Sequence, residues 1–79
     1  MIDFLKKIVS LIVEDQEKLQ IVEKPENNLV VYTILVPETE IGKVIGKKGK
    51  VINAIRTLAR LKAFKEGKRV LVKIDKLSN

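Results

Sequence analysis

The sequence predicts an α+β fold in the order helix, strand, strand, short helix, helix, strand. Three observations carry that order. Apolar residues fall at helical spacing over residues 2–13, and a β-branched run fills residues 29–36. A four-residue loop with a glycine at each end, at 46–49, separates two further helical stretches. At 79 residues the chain is read as one domain, residues 1–79, because a second core would have almost nothing to bury.

The first helix is read from Ile2, Leu5, Ile8, Val9, Ile12 and Val13, which share one face, with Asp3 well placed against the helix dipole. A membrane-surface anchor usually has a richly basic polar face. This one mixes Asp3, Lys6, Lys7, Ser10, Glu14 and Asp15, so the stripe is expected to pack on a sheet. Residues 17–23 alternate like a strand, Leu19 and Ile21 against Lys18, Gln20 and Val22. Lys24-Pro25-Glu26-Asn27-Asn28 is turn chemistry, and Leu29 to Val36 completes a hairpin that Pro37 ends. Thr39 to Ile45 reads as a short helix capped by Thr39 or a neighbour.

After the loop, Val51, Ile52, Ile55, Leu58, Ala59 and Ala63 recur at helical intervals from about Lys50 to Phe64. Arg56, Arg60 and Lys62 are among the exposed positions. Gly67 breaks the chain, and Val70, Val72 and Ile74 alternate with Leu71 and Lys73 in a last strand. Residues beyond Ile74 are expected to form a short frayed tail.

Composition narrows the chemistry. Hydrophobic residues make up 46% of the chain and charged residues 33%, a globular balance. With no cysteine and no histidine, zinc fingers, thiol catalysis and imidazole bases are excluded. Ser10 and Ser78, the only serines, have no histidine to activate them. Glu38 and Glu40 form a carboxylate pair on paper, but beside Pro37 they read as a solvated helix start. No enzyme, cofactor or metal is expected. No stretch approaches the ~18 consecutive apolar residues of a membrane span. No targeting signal is visible, and the lack of cysteine fits a cytoplasmic protein.

The charge is divided. Residues 1–40 carry four basic against eight acidic side chains, whereas residues 43–73 carry eleven basic ones against the single Glu66. Such asymmetry implies a basic face suited to a polyanion. Within that half lies Gly46-Lys47-Lys48-Gly49. Glycine admits positive φ and the close approach of another backbone, and the helix start after Gly49 favours an anion. Lys47 and Lys48 add mobile charge at the tip, with Lys43 and Lys50 on either side, which together make a clamp for a phosphate backbone.

Other phosphate motifs fail. A Walker loop counted from Gly42 needs glycine where Lys47 stands, and a dinucleotide fingerprint needs glycine where Val44 stands. A helix-turn-helix reader of duplex DNA should offer polar residues at the start of its second helix. Here that start is Lys50-Val51-Ile52-Asn53-Ala54-Ile55, with Asn53 alone able to read a base.

The segment Ile41-Gly42-Lys43-Val44-Ile45-Gly46-Lys47-Lys48-Gly49-Lys50-Val51-Ile52 resembles the KH motif, I-G-x-x-G-x-x-I with its hydrophobic lead-in. The helix-first order resembles the type II arrangement. Asn53-Ala54-Ile55-Arg56-Thr57 and Lys65-Glu66-Gly67-Lys68-Arg69-Val70 are similar to the small bacterial single-KH family called KhpA. The resemblance runs from Ile2 to Ile74 and is most specific in the half that holds the loop.

It implies a three-stranded mixed sheet with helices packed on one face. It also implies a groove for about four nucleotides of single-stranded RNA. The residues it assigns to RNA are Gly42, Lys43, Ile45, Gly46, Lys47, Lys48, Gly49, Lys50, Ile52 and Arg56. Spacing does not separate aliphatic side chains that line the groove from those that face the core. Phe4, Tyr32 and Phe64 are the only aromatics, which suits a groove of aliphatic contacts and backbone hydrogen bonds rather than a stacking platform. Family resemblance further implies a role in RNA regulation or as an RNA chaperone, with self-association or pairing with a KH protein of the KhpB (Jag) type. A protein-interaction scaffold on the same fold is the competing expectation.

Overall fold

The computed structural model describes residues 1–78. Helix α1 spans Ile2–Ser10, and a 3₁₀ turn at Gln16–Lys18 leads into β1 (Gln20–Glu26). Strand β2 (Leu29–Val36) is followed by α2 (Glu38–Ile45), a tight turn at Lys47–Gly49, α3 (Lys50–Lys65) and β3 (Val70–Lys76). The sheet order is β1-β2-β3, with β1 antiparallel and β3 parallel to β2. This is the expected α-β-β-α-α-β order with a mixed sheet, as in a type II KH fold.

Side-chain alternation on β2 decides which face is covered. Tyr32, Ile34 and Val36 point into one cluster with Leu5 and Val9 of α1, Val44 of α2 and Ile52, Ile55 and Ala59 of α3. All three helices therefore lie on one face of the sheet. Leu5, Val9, Ile34, Val36, Val44 and Ala59 are fully enclosed, and each large one contributes about 1.5–3 kcal/mol by leaving water.

Several local expectations need correction. Helix α1 stops at Ser10, whose Oγ donates to the Lys7 carbonyl, and Val13 reaches the core from a turn instead. Lys24, Pro25 and Glu26 belong to β1 and not to the turn, which is only Asn27-Asn28. A proline is tolerated there because β1 is an edge strand. Asn27 takes φ 50, the left-handed conformation that asparagine accepts more readily than most residues. Thr39 caps nothing: α2 starts after Pro37, without a side-chain cap hydrogen bond. The tail does not fray at Ile74, since β3 runs on to Lys76 and the Leu77 N–H donates to the Val36 carbonyl. The end of that expected tail, Asn79, lies outside the described residues.

Parallel pairing fixes where the glycine loop sits. The chain leaves the C-terminal end of β2 and must return to the N-terminal end of β3, so α2 and α3 form the crossover. Helix α3, ~24 Å long for its 16 residues, runs back against the strand direction. Its start, with the loop, lies toward the C-terminal ends of β2 and β3, and its end lies by the Asn27-Asn28 turn. Among the described residues no helix is long and apolar enough to cross a membrane.

Candidate nucleic-acid interface

The loop is shaped by two glycines with different reasons. Gly46 takes φ 76 and ψ 172, a region essentially closed to side chains, and a Cβ there would stand 2.4 Å from Val51 Cγ2. Gly49 takes φ 75 and ψ 15 and has room around it, so only its backbone conformation asks for glycine. Lys48 between them is also left-handed, at φ 56 and ψ 24. The Gly49 N–H donates to the Gly46 carbonyl at 3.1 Å, and the Lys50 N–H donates to the Lys47 carbonyl. That leaves the amides of Lys47 and Lys48 without a backbone acceptor among the described residues.

Directly behind the loop, α3 begins on Gly49, which has no side chain to cap the first-turn amides. Free amides, the positive end of α3 and the exposed Lys47, Lys48 and Lys50 thus converge on one small surface. Gly42 lies one helical turn before Gly46, with nothing within 4 Å of where a side chain would start, so the flank of α2 is bare.

The remaining assigned residues divide. Ile45 is half-buried beside the loop, whereas Ile52 is 5% exposed and belongs to the core beneath it. Lys43 points back toward the segment after α1, its Nζ 2.9 Å from Glu14 Oε1 and 3.9 Å from Glu40 Oε1. The hydrogen bond to Glu14 is the main reason its pKa is raised. Lys43 therefore stands near the loop with its charge already partnered. Arg56 spans the gap from α3 to β3: its Nε donates to the Val72 carbonyl at 3.1 Å and its NH1 to Asn53 Oδ1 at 3.4 Å.

That bond shows how β3 presents its edge. The Val30 N–H donates to the Arg69 carbonyl and the Leu77 N–H to the Val36 carbonyl, so odd-numbered residues of this strand bond β2. Even-numbered residues such as Val72 then turn their backbone groups outward, toward the shoulder of α3. The surface between the loop, α3 and this edge thus combines the half-buried aliphatic Ile45 with outward-turned backbone groups of β3, of which the Val72 carbonyl is taken by Arg56.

Glu40 is the residue whose role the sequence reading missed. Instead of a solvated carboxylate it is 6% exposed, and it accepts hydrogen bonds from the Glu14 N–H at 2.5 Å and the Asp15 N–H at 3.2 Å. The Glu14 amide is the main cause that holds its carboxyl below the usual range, with the Asp15 amide and Lys43 adding to it against the opposing effect of burial. Glu40 so pins the start of α2, and with it the loop, to the segment after α1. Its partners lie 25 and 26 residues upstream, beyond the reach of any local pattern.

A family model described as KhpA/KhpB, KH domain, matches residues 2–74. The RNA-binding protein KhpA of Caldanaerobacter subterraneus subsp. tengcongensis is 35% identical over 72 residues, which cover 91% of this chain and 96% of that protein. The protein of the same name from Chlamydia trachomatis is 36% identical over 72 residues, covering 91% and 92%. That from Aquifex aeolicus is 38% identical over 74 residues, covering 89% and 94%.

Proposed function

Since the chain belongs to the KhpA/KhpB KH-domain family, we propose that it is a non-catalytic RNA-binding protein that holds about four nucleotides of single-stranded RNA beside Gly46-Lys47-Lys48-Gly49. The observation that carries this reading is the convergence at the loop of unpaired amides, a helix start and three exposed lysines. In this reading the phosphates lie over Lys47, Lys48 and Lys50, and Gly42 lets the strand approach α2 closely. Ile45 and the outward edge of β3 meet the bases, Arg56 holds that edge in place, and Ile52 supports the floor from within. Lys43 joins the field only so far as Glu14 releases it. The KhpA relatives are named for RNA binding, which supports the assignment.

The cellular role that fits is regulation of RNA after transcription, or RNA chaperoning, together with a second KH protein. Leu58 and Leu61, 44% and 59% exposed on the outer side of α3, favour such pairing. They also favour the competing reading, a scaffold that acts mainly by protein contact, as do the exposed Leu11 and Phe64.

The deciding experiment replaces Lys47 and Lys48 together by aspartate, with Lys6→Asp/Lys7→Asp as a control of equal charge change on α1. At about 1 kcal/mol per unit interaction in water, four units of local charge change amount to about 4 kcal/mol, nearly a thousandfold in affinity. Loss confined to the loop variant, with both proteins folded by thermal melt, is the expected result. Equal loss in both variants would reduce the protein to a generally basic surface and favour the scaffold.

A further inference from the structure

The basic half of the chain is not used up by the loop. At the opposite end of α3 lies a surface cavity of about 300 Å³ lined by Leu29, Arg60, Phe64, Lys68, Arg69 and Val70. Arg60, Lys68 and Arg69 form no ion pair among the described residues. Glu66, the acidic residue of this half, is engaged by Lys62 at 3.7 Å. Phe64 is 83% exposed, so most of its ring is open to solvent, and the cation–π contact found among the described residues joins Lys62 to Phe4 instead.

The cavity and the loop share a line. At 100° per residue, Asn53, Arg56, Arg60 and Phe64 fall within one shoulder of α3, on the side that faces β3, as the bond from Arg56 to Val72 requires. The opposite shoulder faces α1, where Lys62 reaches Phe4. From Gly49 to Phe64 is about 22 Å along the helix. At the ~3.4 Å axial rise of a stacked strand that is about six nucleotides, and an unstacked strand covers it with fewer.

We propose that this shoulder is a second RNA contact: single-stranded RNA leaving the glycine loop follows α3 along Arg56 and Arg60 and stacks a base on Phe64, with Lys68 and Arg69 on the adjoining phosphates. The inference rests on the loop reading above and extends the footprint beyond the four nucleotides of a KH groove. An open aromatic ring among unpaired cations is the recurring device for holding single strands irrespective of sequence. It gives a use to the one aromatic side chain of the basic segment, which the core leaves outside.

The experiment compares oligouridines of four and ten nucleotides by fluorescence anisotropy at fixed salt. The extra binding registers of the longer strand affect every variant alike and cancel in ratios between variants. Phe64→Ser should weaken the ten-nucleotide strand at least fivefold, the low end of what one stacked base supplies, and leave the four-nucleotide strand unchanged. Phe64→Trp should restore the long-strand affinity, and Arg60→Gln/Arg69→Gln should reproduce the loss and flatten the salt dependence for the long strand alone.

Equal affinities of wild type and Phe64→Ser for the ten-nucleotide strand would overturn the second contact. So would equal loss for both lengths accompanied by a change of mass in sedimentation, which would make Phe64 a protein contact. The Lys47→Asp/Lys48→Asp variant separates the two readings. If it keeps the four-nucleotide strand, the loop reading fails by itself; if it loses both lengths while Phe64→Ser loses neither, only the second contact fails.

Discussion

Replacing Gly46 by alanine tests the shape of the loop without touching a charge. The new Cβ would have to occupy φ 76, ψ 172, at about 1–3 kcal/mol for a conformation almost reserved to glycine. It would also stand 2.4 Å from Val51 Cγ2 and 2.9 Å from the Val51 nitrogen. The side-chain atom could swing aside, but the nitrogen belongs to the first turn of α3 and moves only with the helix, a further ~1–3 kcal/mol of overpacking. The sum, about 2–6 kcal/mol, compares with a total of roughly 4–12 kcal/mol for 79 residues.

Two neighbours serve as internal standards. Gly49→Ala meets nothing closer than Asn53 Nδ2 at 3.7 Å and should cost only the left-handed backbone, about 1–2 kcal/mol. Gly42→Ala enters open space inside a helix and should gain about 0.5–1 kcal/mol. Urea titrations followed by far-ultraviolet circular dichroism should therefore rank the midpoints Gly42→Ala above wild type, then Gly49→Ala, then Gly46→Ala, with a common slope. A Gly46→Ala midpoint equal to or above that of Gly49→Ala would refute the close contact with Val51.

Three further outcomes are expected. Glu40→Gln should be destabilised at neutral pH, because the amide cannot accept from both Glu14 and Asp15 as the carboxylate does. Since the native carboxyl lies below its unfolded value, this stability is present above the ordinary carboxylate range and lost as pH falls through the native value. Urea midpoints of the two proteins should thus converge toward acid, and a gap that stays constant with pH would count against the ionic form. RNA affinity should fall with salt at a log–log slope of about −1.4 to −3 for two to four phosphate contacts, and a flat titration would remove the phosphate clamp. In competition, single-stranded RNA should displace duplex DNA at equal salt; the reverse order in gel shifts would favour a duplex reader.

Much of this was legible from periodicity. The run Leu29–Val36 and the stretch from Lys50 announce a strand and a helix because their patterns are long and local. The glycines at 46 and 49 announce the loop because few other residues tolerate such backbones. What stayed hidden depends on partners distant in sequence. Pro25 looks like a turn residue until an edge position is known to spare it, and Glu40 looks solvated until the amides of residues 14 and 15 are folded onto it. Lys43 looks like a free cation until Glu14 is found beside it. Ile52 and Ile45 have the same chemistry, and only packing encloses one in the core and leaves the other half-buried beside the loop.

The register of the parallel pair also bears on how the protein is made. Every partner on β3 stands forty positions after its mate on β2, from Val30 with Val70 to Val36 with Lys76. A ribosome adding about 5–20 residues per second needs roughly 2–8 s to deliver those forty residues. During that interval the β1–β2 hairpin can close through its two-residue turn, but Tyr32, Ile34 and Val36 have neither β3 beside them nor α3 above them. The nascent chain thus passes through a stage in which the part of the sheet that α3 and β3 will cover faces water. The glycine loop acquires its final shape only as the crossover closes over that surface, so RNA binding through the loop is a property of the finished chain and not of its emerging N-terminal half.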